Sequence, residues 1–470
     1  MTGLIAALRD ALGDGGVLTG DDAAPWSRDW TGQYRWTPLC VVRPRNTAEV
    51  SDVLRLCHAA GQPVVPVSGN TGLSGGTAGE GAVMLSMARM NRIREVRAEA
   101  RLAVVEAGVI LSALNDAAEA QGLMFPLTFG ARGSAMVGGF LSTNAGGSNV
   151  LRYGNTRDLV LGVEVVLADG RVMNLMSELH KDNSGLNLRH LVIGAEGTLG
   201  VITAAVLKLV PQPAAYATAM VAVPSLDAAL GLLNDLQRAT GGAVEAIEYM
   251  PRTYLDAYRA RFPDTRPPFD TDYETTVLVE VGATAPRDAA PDSEGRVPVA
   301  VHLEQVLAER LEAGAVLDAV VAQNDTHRAE MWARREAAGE VCLTRQPMVN
   351  NDVAVPLDKV AAFLERADAR LARLDPGAVP VVVAHLGDGN VHYAVWPTRD
   401  DAALADAMME AVEDEVLALG GSFSAEHGIG LTKRPSMARR KDRVALEAMR
   451  AVKAALDPKG ILNPGKVFPG

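Results

Sequence analysis

Two short stretches in the C-terminal half carry donors at a spacing that can hold a metal ion. His385-Leu-Gly-Asp-Gly-Asn-Val-His392 follows an apolar run at 379–384 and leads into the apolar residues 393–396. With 391–395 as a strand, the Gly-Asp-Gly-Asn turn brings the two imidazoles toward one point. A third donor stands in Ser424-Ala-Glu426-His427-Gly-Ile-Gly430. Two imidazoles and a carboxylate make a half-open site for a divalent ion such as Zn2+, Mn2+ or Fe2+. Of the eight histidines, His58, His180, His302 and His327 read as ordinary core or surface residues, and His190 precedes a glycine cluster.

The N-terminal half carries a different chemistry. A strand-like run at 63–67 opens into Ser68-Gly-Asn-Thr-Gly-Leu-Ser-Gly-Gly-Thr77. Successive free N–H groups in such a loop form a concavity for a phosphate or pyrophosphate. The loop has neither the Gly-Lys-Ser/Thr ending of a Walker loop nor a Gly-x-Gly-x-x-Gly opening a helix. Gly130-Ala-Arg-Gly133-Ser134, running into 137–147, and Gly194-Ala-Glu-Gly-Thr-Leu-Gly-Val-Ile-Thr203 are two further clusters. One such loop alone reads equally well as a surface turn or as an anion site. Three of them beside strands line a groove long enough for a dinucleotide, where main chain meets the ligand.

The elements that must position these residues alternate between helix and strand. Residues 47–60 form a helix capped by Thr47 and stopped by Gly61. Strands are expected at 82–85, 103–107, 159–167, 171–175 and 201–210, with a helix at 112–121. After 214 come strands at 217–223, 244–249, 275–281, 315–321 and 379–384. Helices fall at 226–240, 302–313, 328–338, 357–374, 402–419 and 442–456; residues 283–297 read as an exposed loop. The fold class is α+β. At 470 residues with 48% hydrophobic and 22% charged content, the chain is a soluble globular type of two to four domains. A net charge of −12 argues against nucleic acid as a partner. Cys40, Cys57 and Cys342 read as reduced thiols of a cytoplasmic protein without a targeting signal or transmembrane segment, though peripheral membrane association is compatible.

In order, spacing and identity the three glycine clusters resemble the FAD-binding domain of the vanillyl-alcohol-oxidase / p-cresol-methylhydroxylase superfamily. The resemblance implies a two-part FAD-binding domain at 36–213, behind an N-terminal helix and loop at 1–35. It is followed by an α+β substrate domain with an antiparallel sheet at 214–425, and by a C-terminal helical segment at 426–470. It implies that Pro66, Val67, Ser68, Gly69, Asn70, Thr71, Gly72, Leu73 and Ser74 wrap the pyrophosphate. Pro126, Leu127, Thr128, Gly133, Ser134, Gly138, Gly139, Ser142, Thr143, Asn144, Gly146 and Gly147 would face the flavin and ribityl. Glu196, Gly197, Gly200, Val201 and Ile202 would support the adenine side. Some members tether the flavin through a histidine near the first loop; 68–79 holds neither His nor Cys, so non-covalent FAD is expected.

The C-terminal motifs resemble the flavin-linked D-2-hydroxyacid dehydrogenases. By that resemblance His385, His392 and Glu426 hold the metal, Zn2+ first, and also face substrate; Glu426 contacts the flavin as well. His427 is the catalytic base, Arg335 in Trp332-Ala-Arg-Arg-Glu336 binds the substrate carboxylate, and Asn463 and Lys466 reach back to the flavin. Arg334 reads as an exposed helix charge. Two positions depart from the family pattern. Asn350, expected among the substrate-binding residues, replaces a lysine, which removes a cation suited to a second carboxylate, and Ala394 replaces a polar amide; Arg345 is the candidate to supply the cation. The expected reaction is oxidation of a D-2-hydroxy acid, 2-hydroxyglutarate first and D-lactate or glycolate second. Electrons would pass to an electron-transfer flavoprotein or a quinone, and a homodimer is the expected assembly. The rivals are the non-redox alkyl transfer of ether-phospholipid synthases, which share the fold, and a non-catalytic FAD-binding subunit.

Overall fold

The computed structural model describes residues 2–469. Its N-terminal region rests on two sheets. Strands β1 (Val17–Leu18), β2 (Cys40–Val42), β3 (Val64–Val67) and β4 (Val83–Ser86) lie in the order β1-β2-β4-β3. Both β2 and β3 run parallel to β4. Parallel strands are covered on their faces, which is why these runs are continuously apolar. Helix Thr47–Ala60 makes the crossover from β2 to β3. Its cap is Asn46, not Thr47: the Asn46 side chain accepts the Glu49 N–H at 2.9 Å. Amide oxygens cap at least as well as threonine hydroxyls, so Thr47 is the first helical residue and not the cap.

The second sheet is antiparallel. It joins β5 (Ile93–Arg97), β6 (Leu102–Glu106), β8 (Val160–Val166), β9 (Val172–Leu175) and β10 (Val201–Lys208) in the order β5-β6-β10-β8-β9. A short pair, β7 (Leu123–Met124) with β11 (Val210–Pro211), closes the region. One expectation changes here. Residues 137–143, taken as glycine loop, form helix Val137–Thr143, ended by Asn144 at φ 51°. Its glycines permit close approach: a Cβ on Gly138 would sit 3.0 Å from Ser68 Oγ. Packing outweighs the low helix propensity of glycine.

The third sheet has seven antiparallel strands: β12 (Ala215–Ala222), β13 (Val244–Pro251), β14 (Thr275–Ala283), β15 (Asp318–Val321), β16 (Val349–Ala354), β17 (Val379–His385) and β18 (Asn390–Trp396). Their order is β15-β12-β14-β13-β17-β18-β16. Strand alternation sorts the residues onto two faces. Ile247, Tyr249, Val382, Ala384, Val391, Tyr393 and Val395 pack against helices Leu226–Thr240, Pro298–Glu312, Val360–Leu374 and Ala402–Ala418. The opposite face is covered by helices Arg252–Arg261, Asp325–Glu336 and Ala338–Cys342. The alternation puts Glu248, Asn350, Asp352, His385, His392 and Ala394 on this second face. Strand β16 was not anticipated, because its polar Asn350-Asn351-Asp352 breaks the apolar run. Residues 283–297 hold a single helical turn, Pro286–Ala289.

The chain end returns to the first sheet. Asn463 N–H donates to Val64 O, and Val64 N–H to Ile461 O, each at 2.8 Å, so the tail pairs with the open edge of β3. No helix among the described residues is long and apolar enough to cross a membrane.

Candidate active site

His385 ends β17 and His392 lies in the next strand, two rungs along. The turn between them is tight: Gly389 has φ 79°, and a Cβ there would sit 2.1 Å from Val355 O. The imidazole centroids are 5.2 Å apart. His385 Nε2 lies 3.6 Å from Glu426 Oε1, and His392 Nε2 lies 3.9 Å from Glu426 Oε2. Each Nδ1 faces a buried carboxylate instead: His385 meets Glu248 at 2.9 Å, and His392 meets Asp352 at 3.5 Å. That pattern leaves both Nε2 atoms and the Glu426 carboxylate around one point, with the imidazoles oriented from behind.

Asp352, His392, Glu426 and His427 also offer donor atoms within 4.8 Å of one another. Asp352 is the weaker candidate as a ligand, since its oxygens are already engaged. Oδ2 accepts the backbone N–H groups of Glu426 and His427 at 2.9 and 2.8 Å, and Oδ1 accepts Asn390 Nδ2 at 3.0 Å. Lys433 Nζ lies 3.5 Å from Oδ2. Asp352 instead fixes the loop that presents Glu426 and His427. His427 stacks on His392 with centroids 5.5 Å apart, its Nδ1 lying 3.7 Å from Asp352.

The electrostatics follow from burial and partners. Burial alone would raise Asp352, but His427, Lys433, His392 and the backbone N–H of His427 hold its carboxyl well below the usual range. Burial lowers both His392 and His427, keeping them neutral and able to offer a lone pair. Burial pushes Glu426 up to about 7, against the pull of His385. His385 is raised: burial opposes it, and the Glu248 carboxylate prevails.

Arg335 is buried on helix Asp325–Glu336 and enters the same space. Its Nε donates to Glu248 Oε2 at 2.7 Å, and its Nη2 lies 3.4 Å from His385 Nε2. Arg334 is not the exposed charge expected of it; it is 6% exposed, with Nη1 donating to Glu330 O. Asn350 is exposed and pairs across the sheet with Ala394, one step beyond His392. Arg345 lies over the Trp396 ring at 4.9 Å, one step further still.

The three glycine clusters converge. A Cβ on Gly69 would fall 2.2 Å from Ser134 O, one on Gly147 (φ 140°) 2.1 Å from Thr128 O, and one on Gly197 3.1 Å from Pro66. Glu196 Oε1 and Oε2 accept the N–H groups of Ile429 and Gly430 at 2.7 and 2.8 Å. Ser74 Oγ donates to His427 O at 3.1 Å, and a Cβ on Gly146 would meet Glu426 Oε1 at 2.8 Å. The loops therefore abut the backbone that carries Glu426 and His427. Asn463 Nδ2 donates to Gly76 O and Glu196 O, while its buried Oδ1 finds no partner among the described residues. Burial lowers Lys466 to about 8, aided by nearby Arg434. An orphaned acceptor, a buried cation and converging main chain fit a polar, anionic guest such as FAD. Leu127, Val67, Val201 and Ile202 have core side chains, and Gly200 packs on Val165, so only their main chain can face a ligand.

Glu248, Asp352 and Lys433 carry no role that sequence motifs assign. The available signal was an acid inside an apolar strand, Ala246-Ile-Glu248-Tyr-Met250, which is costly unless paired.

Comparison with known proteins gives the family. Residues 38–176 match an FAD binding domain, and residues 212–467 match the C-terminal domain of FAD linked oxidases. The chain is 36% identical to mitochondrial D-2-hydroxyglutarate dehydrogenase of Bos taurus, over 99% of this chain and 83% of that protein. It is 35% identical to D-2-hydroxyglutarate dehydrogenase of Xanthomonas citri pv. viticola, over 95% and 93%. It shares its fold with p-cresol methylhydroxylase (TM-score 0.72, 19% identity, covering 99% of this chain and 96% of that one). The fold is also that of alkyldihydroxyacetonephosphate synthase (TM-score 0.73, 18% identity, 99% and 84%). The chain belongs to the FAD-linked oxidase family, within its branch of flavin-dependent 2-hydroxyacid dehydrogenases.

Proposed function

We propose that the protein oxidises a D-2-hydroxy acid, D-2-hydroxyglutarate first, to the 2-oxo acid, using non-covalent FAD and a divalent ion. One observation carries this reading. His385 Nε2, His392 Nε2 and Glu426 converge beside a neutral His427, against Gly146 of the second glycine cluster. The donor set of two nitrogens and one carboxylate suits Zn2+, with Mn2+ or Fe2+ as alternatives. When bound, FAD supplies a two-electron acceptor and the metal a Lewis acid for the substrate oxygens.

The chain's own residues do the rest. Arg335, its Nε held by Glu248, turns its terminal guanidinium nitrogens to the substrate carboxylate, a group suited to bidentate pairing. His427, with Nδ1 toward Asp352, takes the hydroxyl proton at Nε2. Asp352 holds the base and the Glu426 backbone in register. Asn463 and Lys466 meet the flavin from the returning tail. Closure of the glycine clusters against the 424–430 loop keeps water from the reacting carbon.

D-lactate or glycolate is the second reading, favoured by Asn350 and Ala394, neutral residues at the positions where a lysine and a polar amide would serve a second carboxylate. The acceptor is an electron-transfer flavoprotein or quinone, and we place the protein in the cytoplasm as a homodimer; the free thiols of Cys40, Cys57 and Cys342 support a reducing compartment. Anaerobic titration with D- and L-hydroxy acids, with and without chelator, tests the core of this. The D-acids bleach the flavin absorbance, and metal removal abolishes bleaching. A flavin unmoved by every hydroxy acid returns the alkyl-transfer alternative.

A further inference from the structure

Glu248 is 1% exposed at the middle of the seven-stranded sheet, directly across from His385 on the neighbouring strand. Its two oxygens have two different partners: Oε1 meets His385 Nδ1 at 2.9 Å, and Oε2 accepts Arg335 Nε at 2.7 Å. His385 and Arg335 are buried with it, and Arg335 Nη2 lies within 3.5 Å of both His385 ring nitrogens. Two groups that bear on opposite ends of the substrate's hydroxy-carboxylate are therefore held by one side chain. We propose that Glu248 is a positioning residue that sets metal affinity and substrate-carboxylate affinity together. This rests on the dehydrogenase reading given above.

The physical argument is one of donors and acceptors. A carboxylate only accepts. Facing His385 Nδ1, it requires the proton there and leaves the Nε2 lone pair for the metal. Facing Arg335 Nε, it fixes the plane of the guanidinium, so the two terminal nitrogens keep a constant aim. A glutamine can accept from one partner only and must direct its N–H groups at the other. Directed at His385, those groups require Nδ1 to accept, which moves the ring proton to Nε2 and blocks the metal position. Directed at Arg335, they meet a donor and release the guanidinium.

Glu248→Gln and Glu248→Asp, purified with FAD, test this through metal content in metal-buffered solution and through kcat and KM with D-2-hydroxy acid. Glu248→Gln is expected to bind metal about 10–100-fold more weakly. With saturating metal, its kcat should return to within about threefold of wild type while KM stays raised about tenfold, a shift that one lost charge-assisted hydrogen bond accounts for. Wild-type metal affinity together with wild-type KM at saturating metal, or a loss of thermal stability alone, would overturn the proposal; a change in only one of the two shows which partner the glutamine oxygen retains. If Glu248→Gln does not accumulate as folded FAD protein, Glu248→Asp decides. Shorter by one methylene, it reaches one partner, so either metal affinity or KM must change; both at wild-type values overturn the proposal. Failure of the dehydrogenase reading is separately visible, as a wild-type flavin that D-2-hydroxy acids do not bleach, while metal content still reports on Glu248.

Discussion

Around the three glycine clusters, the contacts that define the groove are made largely by main chain: Gly69 against Ser134 O, Gly147 against Thr128 O, Gly430 against Ser74 O. Around His385 and Glu426 they are made by ionisable side chains on a sheet face, with Glu248, Asp352 and Arg335 behind them. The first region excludes side chains so that main chain can pack on main chain, and it tolerates little added volume. The second buries charges, which is costly unless every one is paired. Added volume should break the first region, and a lost charge should break the second.

The largest effect is expected at His427. His427→Asn should lower kcat by about 10^2–10^4-fold while FAD content stays at the wild-type level, measured by single-turnover flavin reduction. Retained turnover would remove the base from the second region.

Asp352→Asn should follow, costing about 3–5 kcal/mol in denaturant unfolding, since Lys433 loses its buried counter-charge. The pH dependence has a definite sign. The folded-state pKa of Asp352 lies below its unfolded value, so its stabilisation is present above the unfolded carboxylate range near 4. It is lost as pH falls through the folded value. The variant should therefore lose less stability than wild type on acidification.

In the first region the effect is smaller and steric. Gly147→Ala places a Cβ against Thr128 O at a backbone conformation that side chains rarely adopt, and should cost about 1–3 kcal/mol and release FAD. Gly231→Ala, on helix Leu226–Thr240 away from the clusters, meets no atom within 4 Å and should leave flavin content unchanged. Equal effects at the two glycines would mean that close main-chain approach does not define the groove.

The smallest change concerns specificity. Asn350→Lys restores a cation one step from His392 on an exposed position. It should lower KM for D-2-hydroxyglutarate relative to D-lactate by about fivefold, within the 1 kcal/mol range of exposed ion pairs. An unchanged ratio would shift attention to Arg345.

Much of the fold was legible where local signals are strong. Helix Leu226–Thr240 coincides with its expected bounds, because Ser225 caps it and Gly241 ends it at φ 62°. The β8–β9 hairpin was announced by Ala168-Asp169-Gly170. Helix Val137–Thr143 was not legible, since its glycines serve packing against Ser68 rather than a turn. Strand β16 was hidden by polar residues that face the site. In both cases tertiary contact reversed a local preference.

The sequence by itself determined the donor types: three glycine clusters for an extended anionic ligand, and two histidines with a carboxylate for a metal. Those depend on residue identity and short spacing, which a chain carries locally. Only the tertiary structure decided what stands behind the donors. Glu248 is 137 residues from His385, and Asp352 is 74 from Glu426. Glu248 meets His385 because β13 pairs with β17, and Asp352 meets Glu426 because the chain at Ser422 bridges back onto Ala354 of β16; strand order is set by burial of whole faces rather than by any short motif.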